Sequence, residues 1–398
     1  MKRLWYTCCH WLCARVYFER ITVVHPERLP DGGPVLYIVL HRNGAVDGFV
    51  YRQVVPHCVS LISTQLRRGL FARLFFCGIA VARKQDEDDR HQNEAALNEC
   101  TQLLANGGEL MVYPEGTSSL GPQHLPFKSG AASLALDVLA RGVALRIVPL
   151  GIHYERAWAF RSKIEVVVGE AVPTDIADGL SALGRLKEMK RRMTRALESV
   201  GTNFASDAVQ EQAQRLAYVA TLGTARGYFA SLKLLEAGVP EPLQAHWRQL
   251  EAQLVPRRVL LHQGVPLFPV GPWIAYAMLL LVLGPLVLTG AVLNFPPLLA
   301  GWLAARRFAD GRNVIALWRI LVGLPLGVAW FGVVSMVLGY VAGGYWLLGY
   351  MLLTLAALKS LYRAKKLAVA VWNGLAHRDL ARQAHEFHQS VIQTLPLS

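Results

Sequence analysis

The stretch Val35-Leu-Tyr-Ile-Val-Leu40, followed directly by His41-Arg-Asn-Gly-Ala-Val-Asp47, decides how the first part of this chain folds. The first of these stretches is an unbroken β-favouring run after the turn residues Gly32-Gly33-Pro34, which predicts a buried strand. His41 then stands at the carboxyl end of that strand. Open α/β sheets place their reactive groups at this end, so the second stretch is a candidate active-site loop.

Further strands and helices follow in alternation. Polar or mixed segments between the apolar runs predict helices over residues 86–105 and 129–141. This alternation is typical of an α/β core with a mixed sheet flanked by helices, here over residues 31–175. The other predicted strands are 80–82, 110–113, 144–150 and 164–168.

The composition indicates contact with a membrane. Apolar residues make up 53% of the chain and charged residues 17%, which is too apolar for an ordinary soluble protein. The formal net charge of +13 would attract nucleic acid or anionic lipid equally well. The hydrophobic last third favours membrane lipids, and the cations are scattered rather than set on one aromatic-lined face, so no nucleic-acid partner is expected.

Two long uncharged stretches, 259–305 and 320–358, predict membrane helices, since about 20 residues of helix cross a bilayer. Basic residues stand before, between and after them, so the positive-inside tendency places all three flanks in the cytoplasm. Each stretch then leaves and returns as a transmembrane or re-entrant hairpin, turned at Pro285 or Pro296-Pro297 in the first and at Gly343-Gly344 in the second. A soluble pair of core helices is the alternative. The flanking cations are Arg257, Arg258, Arg306, Arg307, Arg312, Arg319, Lys359, Arg363, Lys365 and Lys366.

The remaining segments are predicted to be helical. Residues 1–30, an N-terminal helix and lead-in, mix Trp and Tyr with cations, which suits the headgroup layer of a membrane; a plain helix packed on the core fits equally well. A helical segment over 176–258 begins with a cationic amphipathic helix. The hairpins then occupy 259–362, and a C-terminal amphipathic helix occupies 363–398.

His41 and Asp47 suit a base that removes a proton from an alcohol. A neutral imidazole can take this proton as the new bond to an acyl carbon forms. A carboxylate on the other ring nitrogen fixes the tautomer and stabilises the imidazolium. Taken alone, such a pair is more often a chance match, but here the histidine ends an apolar strand.

Three further strings follow this pair: Gly78-Ile-Ala-Val-Ala-Arg83, Tyr113-Pro-Glu-Gly-Thr117 and Val148-Pro-Leu-Gly151. In this order the four strings resemble the glycerolipid acyltransferase family, also called the PlsC-like or lysophosphatidic acid acyltransferase family. The usual first motif is His-x4-Asp, whereas this chain has one residue more. That longer form is similar to the fungal-type glycerol-3-phosphate/dihydroxyacetone-phosphate acyltransferases, as is the stretch 311–321. The extra residue can be absorbed in the loop if Gly44 adopts an unusual turn.

The resemblance implies that His41 is the catalytic base and that Asp47 orients it. It also implies that Arg83, helped by Lys84, grips the phosphate of the acceptor, since a guanidinium offers a planar fork of donors. Without the motif, Arg83 would be read as a surface arginine.

The third and fourth motifs imply further substrate-binding residues. By resemblance, Glu115, Gly116 and Thr117 serve acceptor binding and loop geometry, and Lys128 matches a position where the family usually has lysine. Lys128 also precedes a predicted helix, whose N-terminus favours anions. Pro149 would shape the acyl-chain pocket, although a strand-ending proline is an equal alternative.

The function implied by the resemblance is transfer of a fatty acyl group in phospholipid biosynthesis. The co-substrate would be acyl-CoA or acyl carrier protein (acyl-ACP), the acceptor lysophosphatidate or glycerol-3-phosphate, and the catalytic domain would face the cytoplasm. No cofactor and no metal are expected. Where the family commonly has arginine this chain has Ser118, so another lysolipid or an amine-bearing lipid stays an alternative acceptor. A non-catalytic membrane lipid-binding scaffold is the alternative from another class, and the oligomeric state is left open.

Overall fold

The computed structural model describes residues 2–67, 69–82, 90–177 and 179–395. The chain divides into two compact units. The first comprises Met1–Arg15, Arg20–Ala157 and Ile164–Asn203, and the second comprises Val16–Glu19, Trp158–Lys163 and Phe204–Ser398. The two units are not consecutive along the chain, because two short pieces of the N-terminal half belong to the second unit. The predicted division into five consecutive segments stays a prediction.

A mixed sheet of seven strands forms the centre of the first unit. Its order is β1-β7-β6-β2-β5-β3-β4, with β2 parallel to both β5 and β6, and β7 antiparallel to β6. This confirms the predicted mixed α/β sheet. The strands are β1 (Arg20–Val24), β2 (Val35–Val39), β3 (Val59–Ser63), β4 (Ile79–Val81), β5 (Glu109–Val112), β6 (Arg146–Tyr154) and β7 (Lys163–Val168).

Strand β2 occupies the middle of this sheet, and every one of its residues is buried. A strand covered on both faces has to be apolar throughout, which is the pattern seen in the sequence. The register pairs Ile38 with Val112 on one side and with Pro149 on the other. The chain therefore leaves the sheet at His41, between the carboxyl ends of two parallel neighbours.

Among the described residues, six α-helices accompany the sheet. The last of them, α6, begins at the N-cap Ser181, whose hydroxyl accepts a hydrogen bond from the Gly184 amide. It buries Met189, Met193 and Leu197 and turns its arginines and lysines outward, as the amphipathic sequence predicts. The helices are α1 (Lys2–Tyr17), α2 (Val46–Tyr51), α3 (Leu70–Phe75), α4 (Arg90–Ala105), α5 (Gly130–Leu139) and α6 (Ala182–Val200).

The second unit contains a helical bundle with its own apolar core. The core includes Leu216, Tyr218, Leu232, Trp247 and Phe387. A short hairpin of β8 (Leu261–His262) and β9 (Val265–Pro266) follows the third helix of the bundle. The bundle helices are α7 (Asp207–Ala220), α8 (Tyr228–Glu236), α9 (Glu241–Leu254) and, from the C-terminus, α15 (Arg378–Thr394).

Apolar helices make up the rest of the second unit. Within the described residues, three segments are long and apolar enough to cross a membrane: Trp273–Leu293, Arg312–Val341 and Gly344–Ala376. Helix α11 has 14 residues and is shorter than a crossing requires. The individual elements are α10 (Trp273–Leu293), α11 (Phe295–Phe308), α12 (Ile315–Trp318), a π-helical turn (Arg319–Gly323), α13 (Leu324–Val341) and α14 (Gly344–Ala376).

The predicted turning points can be compared with these helices. Pro285 lies inside α10, so the break of the first stretch falls at Asn294, next to Pro296-Pro297. The second break falls at Gly343, whose φ of 88° requires a glycine. Helix α14 continues past the predicted boundary at 363 to Ala376. The orientation of these helices in a membrane stays a prediction.

The break at Asn294 is stabilised by side chains. The side-chain Nδ2 of Asn294 donates to the Gly290 carbonyl at 2.9 Å, and the side-chain Oδ1 of Asn294 accepts from the Tyr350 hydroxyl at 3.0 Å. The Trp330 indole donates to the Leu293 carbonyl at 2.8 Å. Backbone groups released by a helix break in an apolar segment need such partners, because no water is available to them.

Candidate active site

The end of β2 places His41. The Leu40 amide donates to the Leu150 carbonyl of β6 at 3.1 Å, which extends the parallel pairing to the last residue before the loop. The loop then turns into α2 through Gly44, whose φ is 54°. This left-handed residue absorbs the longer spacing between His41 and Asp47, as the sequence predicts.

His41 and Asp47 face each other across this loop. Nδ1 of His41 lies 2.9 Å from Oδ2 of Asp47. The Asp47 side chain is fully buried, whereas that of His41 keeps 12% of its surface exposed. A proton held on Nδ1 by the carboxylate leaves Nε2 as the basic nitrogen, which is the arrangement a general base needs.

Three further donors hold the Asp47 carboxylate. The backbone amides of Arg42 and Asn43 donate to Oδ2 at 2.7 and 2.9 Å, and the hydroxyl of Tyr154 donates to Oδ1 at 2.6 Å. Burial and the charge of Asp47 raise the pKa of Tyr154 well above its ordinary value, so this hydroxyl remains a donor. The carboxylate therefore has one fixed orientation towards the imidazole.

Tyr154 was not among the residues selected from the sequence. Pro149 and Gly151 read as the end of a strand, yet β6 continues through both to Tyr154. Gly151 makes this possible, since a Cβ there would lie 2.0 Å from the Val200 carbonyl oxygen at the end of α6. A hydroxyl-bearing residue just beyond the motif was the only sequence signal for this contact.

Glu115 connects the histidine loop to the loop that carries the third motif. Its Oε1 accepts from the His41 amide at 2.9 Å, and its Oε2 accepts from the Leu125 amide at 3.1 Å. The side chain is 2% exposed, and this burial raises its pKa, against the effect of the two amides and of Arg42. These contacts give Glu115 a role in positioning His41, while its contact with an acceptor stays a prediction.

Gly116 and Lys128 lie against each other. Gly116 has a φ of 72°, and a Cβ at this position would lie 2.3 Å from Nζ of Lys128. The Lys128 amide donates to the Pro114 carbonyl at 2.9 Å, which closes the loop just before α5. Thr117 and the lysine side chain are exposed, so both can meet a substrate from solvent.

The other predicted residues are placed as follows. Pro149 is buried in the middle of β6, where its carbonyl accepts from the Gly169 amide at 2.9 Å and its ring packs against Gly169. It is therefore not a strand-ending proline, and its part in an acyl pocket stays a prediction. Arg83 and Lys84 lie outside the described residues.

Arg42 is a second residue that sequence reasoning passed over. Its side chain is 9% exposed and donates from Nη2 to the Gly121 carbonyl at 2.8 Å. Burial lowers its pKa, while the charges of Glu115 and Asp47 oppose this effect. A buried cation beside two buried carboxylates offsets their charge next to His41. Its place directly after His41 was the available signal.

Comparison with known proteins identifies this region. The family model described as Acyltransferase matches residues 20–153. A 1-acyl-sn-glycerol-3-phosphate acyltransferase of Chlamydomonas reinhardtii is 28% identical over 144 residues, which cover 35% of this chain and 42% of that protein. Glycerol-3-phosphate O-acyltransferase 2 of Saccharomyces cerevisiae is 32% identical over 106 residues, covering 25% of this chain and 14% of that protein.

A solved structure is also similar. The 1-acyl-sn-glycerophosphate acyltransferase PlsC from Thermotoga maritima is 21% identical, covers 46% of this chain and 72% of its own, and aligns with a TM-score of 0.32. The chain spans less than half the length of the two curated relatives described above. The resemblance carried by the four motifs is confirmed, because residues 20–153 of this chain match the Acyltransferase family model.

Proposed function

We propose that this chain transfers a fatty acyl group from a thioester donor to a hydroxyl of a glycerol-phosphate acceptor. The observation that carries this proposal is the 2.9 Å contact between His41 and a fully buried Asp47 that three other groups orient. The pair lies within the segment that matches the acyltransferase family model. Lysophosphatidate and glycerol-3-phosphate are the acceptors named for the relatives.

The chemistry follows from the free ring nitrogen of His41. Nε2 takes the proton of the acceptor hydroxyl while the oxygen of that hydroxyl attacks the carbonyl carbon of the thioester. The carbon–sulfur bond then breaks, and the imidazolium returns the proton to the leaving thiolate. Asp47 stabilises the imidazolium between these two steps. No acyl-enzyme is needed, because donor and acceptor are bound together.

The proposed acceptor contacts rest on charge and exposure. Lys128 presents its amine beside Gly116 in the loop that Glu115 ties to His41. The resemblance adds Arg83 and Lys84 as phosphate ligands and Pro149 as part of the acyl pocket. Ser118 stands where an arginine is common, which keeps a different lysolipid or an amine-bearing lipid as the second candidate acceptor.

The three candidate spanning helices indicate membrane association. We further propose that the catalytic domain faces the cytoplasm, where both CoA and acyl carrier protein would be available as donors. The basic flanks of the apolar stretches support this orientation. Membrane lipids then serve as substrates and also surround the apolar helices of the enzyme.

The test is a product assay on purified protein in detergent. Acyl-CoA and acyl-ACP are each offered with glycerol-3-phosphate, lysophosphatidate and an amine-bearing lysolipid, and products are identified by mass spectrometry. His41→Ala should reduce transfer at least about 100-fold, the usual contribution of a general base. His57→Ala, which removes an exposed histidine of the same domain, is the matched control. Absence of any product from the unmodified protein would favour the lipid-binding scaffold.

A further inference from the structure

Four basic side chains form a cluster in the second unit. They are Arg161, Arg312, Arg319 and Lys365, called the basic cluster from here on. Lys365 lies on α14 within electrostatic range of Arg319 and Arg161. All four lie outside residues 20–153, the part matched by the family model, and Arg312 and Arg319 lie in the stretch 311–321.

Two members of the basic cluster converge on Trp158. Nη1 of Arg319 donates to the Trp158 carbonyl at 3.0 Å and lies 3.5 Å from the hydroxyl of Tyr17. The guanidinium carbon of Arg312 lies 5.1 Å from the centroid of the Trp158 ring. Arg312 is exposed, and Arg319 and Trp158 are half-buried. Arg312, Arg319 and Lys365 are therefore accessible to solvent, whereas Arg161 is buried.

The cluster has more positive than negative charge. Arg161 forms an ion pair with Glu19. Across residues 2–67, 69–82, 90–177 and 179–395, no carboxylate forms an ion pair with Arg312, Arg319 or Lys365. Like charges at this range repel each other, and an anion placed among them would convert that repulsion into attraction.

The basic cluster lies at the end of the helix pair α13 and α14 that is opposite to the turn joining them. A lipid headgroup would be found at such an end. Helices α13 and α14 pack against each other and are joined by a short turn at Ala342 and Gly343, so they run in opposite directions. The segment that begins with Arg312 and the part of α14 that carries Lys365 are thus at the same end of the pair. Phosphate headgroups occupy this depth when such helices cross a bilayer.

The backbone at Arg319 is also unusual. Arg319 begins the π-helical turn Arg319–Gly323, which interrupts the segment between α12 and α13. Single π-turns inside helices are frequent at functional sites, because the wider turn changes the direction of its side chains. Here the turn coincides with the residue that contacts both Trp158 and Tyr17.

We propose that the basic cluster binds the phosphate of an anionic glycerolipid headgroup, with Arg319 and Lys365 contacting the phosphate oxygens. A guanidinium supplies two parallel donors to phosphate, and the lysine adds a compact positive charge. Trp158 lies beside Arg319 and Arg312, and its amphipathic ring favours the membrane interface. This site goes beyond the proposed acyl transfer and does not depend on it, since it is defined by binding alone.

The experiment measures binding of lipid to the full chain, purified in a neutral detergent. Mixed micelles containing phosphatidate or phosphatidylcholine are titrated, and the bound lipid is followed by native mass spectrometry and by the shift of the thermal unfolding midpoint. Phosphatidate should bind at least about tenfold more tightly than phosphatidylcholine. The double variant Arg319→Gln/Lys365→Gln should lose about tenfold or more of this affinity, while His41→Ala should keep it.

A matched control removes the same charge elsewhere. Arg306→Gln/Arg307→Gln changes two arginines at the end of α11 whose guanidinium groups lie over the rings of Trp302 and Phe308. Its affinity for phosphatidate should stay within about twofold of the unmodified protein, because the basic cluster is intact. Equal loss of affinity in both double variants would overturn the proposal, since net charge alone would then explain binding.

Two further binding measurements test the basic cluster independently of the double variant. Arg319→Lys keeps the charge but removes the planar fork, so it should bind phosphatidate several-fold more weakly even if the glutamine variant fails to fold. Unchanged binding by Arg319→Lys and by Lys365→Gln would overturn the assignment. Soluble glycerol phosphate should bind far more weakly than the lipid, and equal affinity for it would show a site for free phosphate instead.

Discussion

The hydroxyl of Tyr154 donates a 2.6 Å hydrogen bond to Oδ1 of Asp47, on the side of the carboxylate that faces away from His41. The two residues come from the last position of β6 and from the first turn of α2. Tyr154 therefore fixes the orientation of the Asp47 carboxylate, which in turn orients the imidazole of His41. The hydroxyl of Tyr154 contacts the carboxylate, so it acts on His41 through Asp47.

Tyr154→Phe should lower kcat at neutral pH about tenfold, which is the value of one hydrogen bond to a charged group. Without this donor, the negative charge of Asp47 stabilises the imidazolium more strongly. The acidic limb of the pH–rate profile should therefore move to higher pH. The measurement is kcat against pH for both proteins.

Tyr51→Phe is the control for the loss of a buried hydroxyl. The Tyr51 hydroxyl donates to the Leu40 and Leu150 carbonyls at 2.9 and 3.2 Å, and not to Asp47. The Tyr51→Phe variant should have a lower unfolding midpoint, but the acidic limb of its pH–rate profile should not move. Identical pH profiles for Tyr154→Phe and the unmodified protein would show that Tyr154 only contributes to stability.

Gly116→Ala should raise the KM for the acceptor several-fold while the protein stays folded. The new methyl group would occupy the place of the Lys128 amine, and a flexible lysine end moves at little cost. Gly107→Ala is the control, because Gly107 has a similar φ of 78° and nothing within 4 Å of the new atom. Both variants carry the left-handed strain of about 1 kcal/mol, so only a difference in KM between them reports on Lys128.

Glu115 makes stability depend on pH. Burial raises its pKa above the ordinary value of 4.5, so Glu115 holds a proton more readily in the folded protein than in the unfolded chain. Its contribution to stability is complete below pH 4.5 and is lost as the pH rises through the higher folded pKa. The unmodified protein should therefore lose stability relative to Glu115→Gln as the pH rises above 4.5 and through the folded pKa. Parallel unfolding midpoints of the two proteins over this range would contradict the assignment.

Gly151→Ala should destabilise the first unit by about 1–3 kcal/mol, the usual cost of inserting an atom into a filled site. The new Cβ would lie 2.0 Å from the backbone oxygen of Val200, which cannot rotate away as a side chain would. Gly130→Ala, with open space around its Cβ in α5, should be neutral or stabilising. The free energy of unfolding from denaturant titrations measures both.

The central strand and the contact between His41 and Asp47 could be predicted because their signals are local. An unbroken apolar run identifies β2, and the spacing of His41 and Asp47 is short enough for one loop and one helical turn to join them. The five predicted strands are all present in the sheet. Strands β1 and β3 were not predicted, because five-residue runs such as Arg20–Val24, which has exposed positions, give only a weak strand pattern.

The contacts that support the pair were harder to predict because they are distant in sequence. Glu115 reads as an acceptor ligand from its motif, and only the fold shows that backbone amides occupy both of its oxygens. Tyr154 depends on a strand that continues through a proline and a glycine. In the C-terminal half, hydropathy identifies apolar helices but does not show that Arg319 and Lys365 lie together.

The central position of β2 has a consequence for biosynthesis. Its two neighbours, β5 and β6, are encoded far downstream, and Tyr154 lies 107 positions after the aspartate it contacts. A ribosome must therefore release β6 before the imidazole and the carboxylate gain their final geometry. A nascent chain that is interrupted before this point contains both residues but lacks the neighbouring strand and the hydroxyl that orient them, so the pair stays unsupported until β6 has been translated.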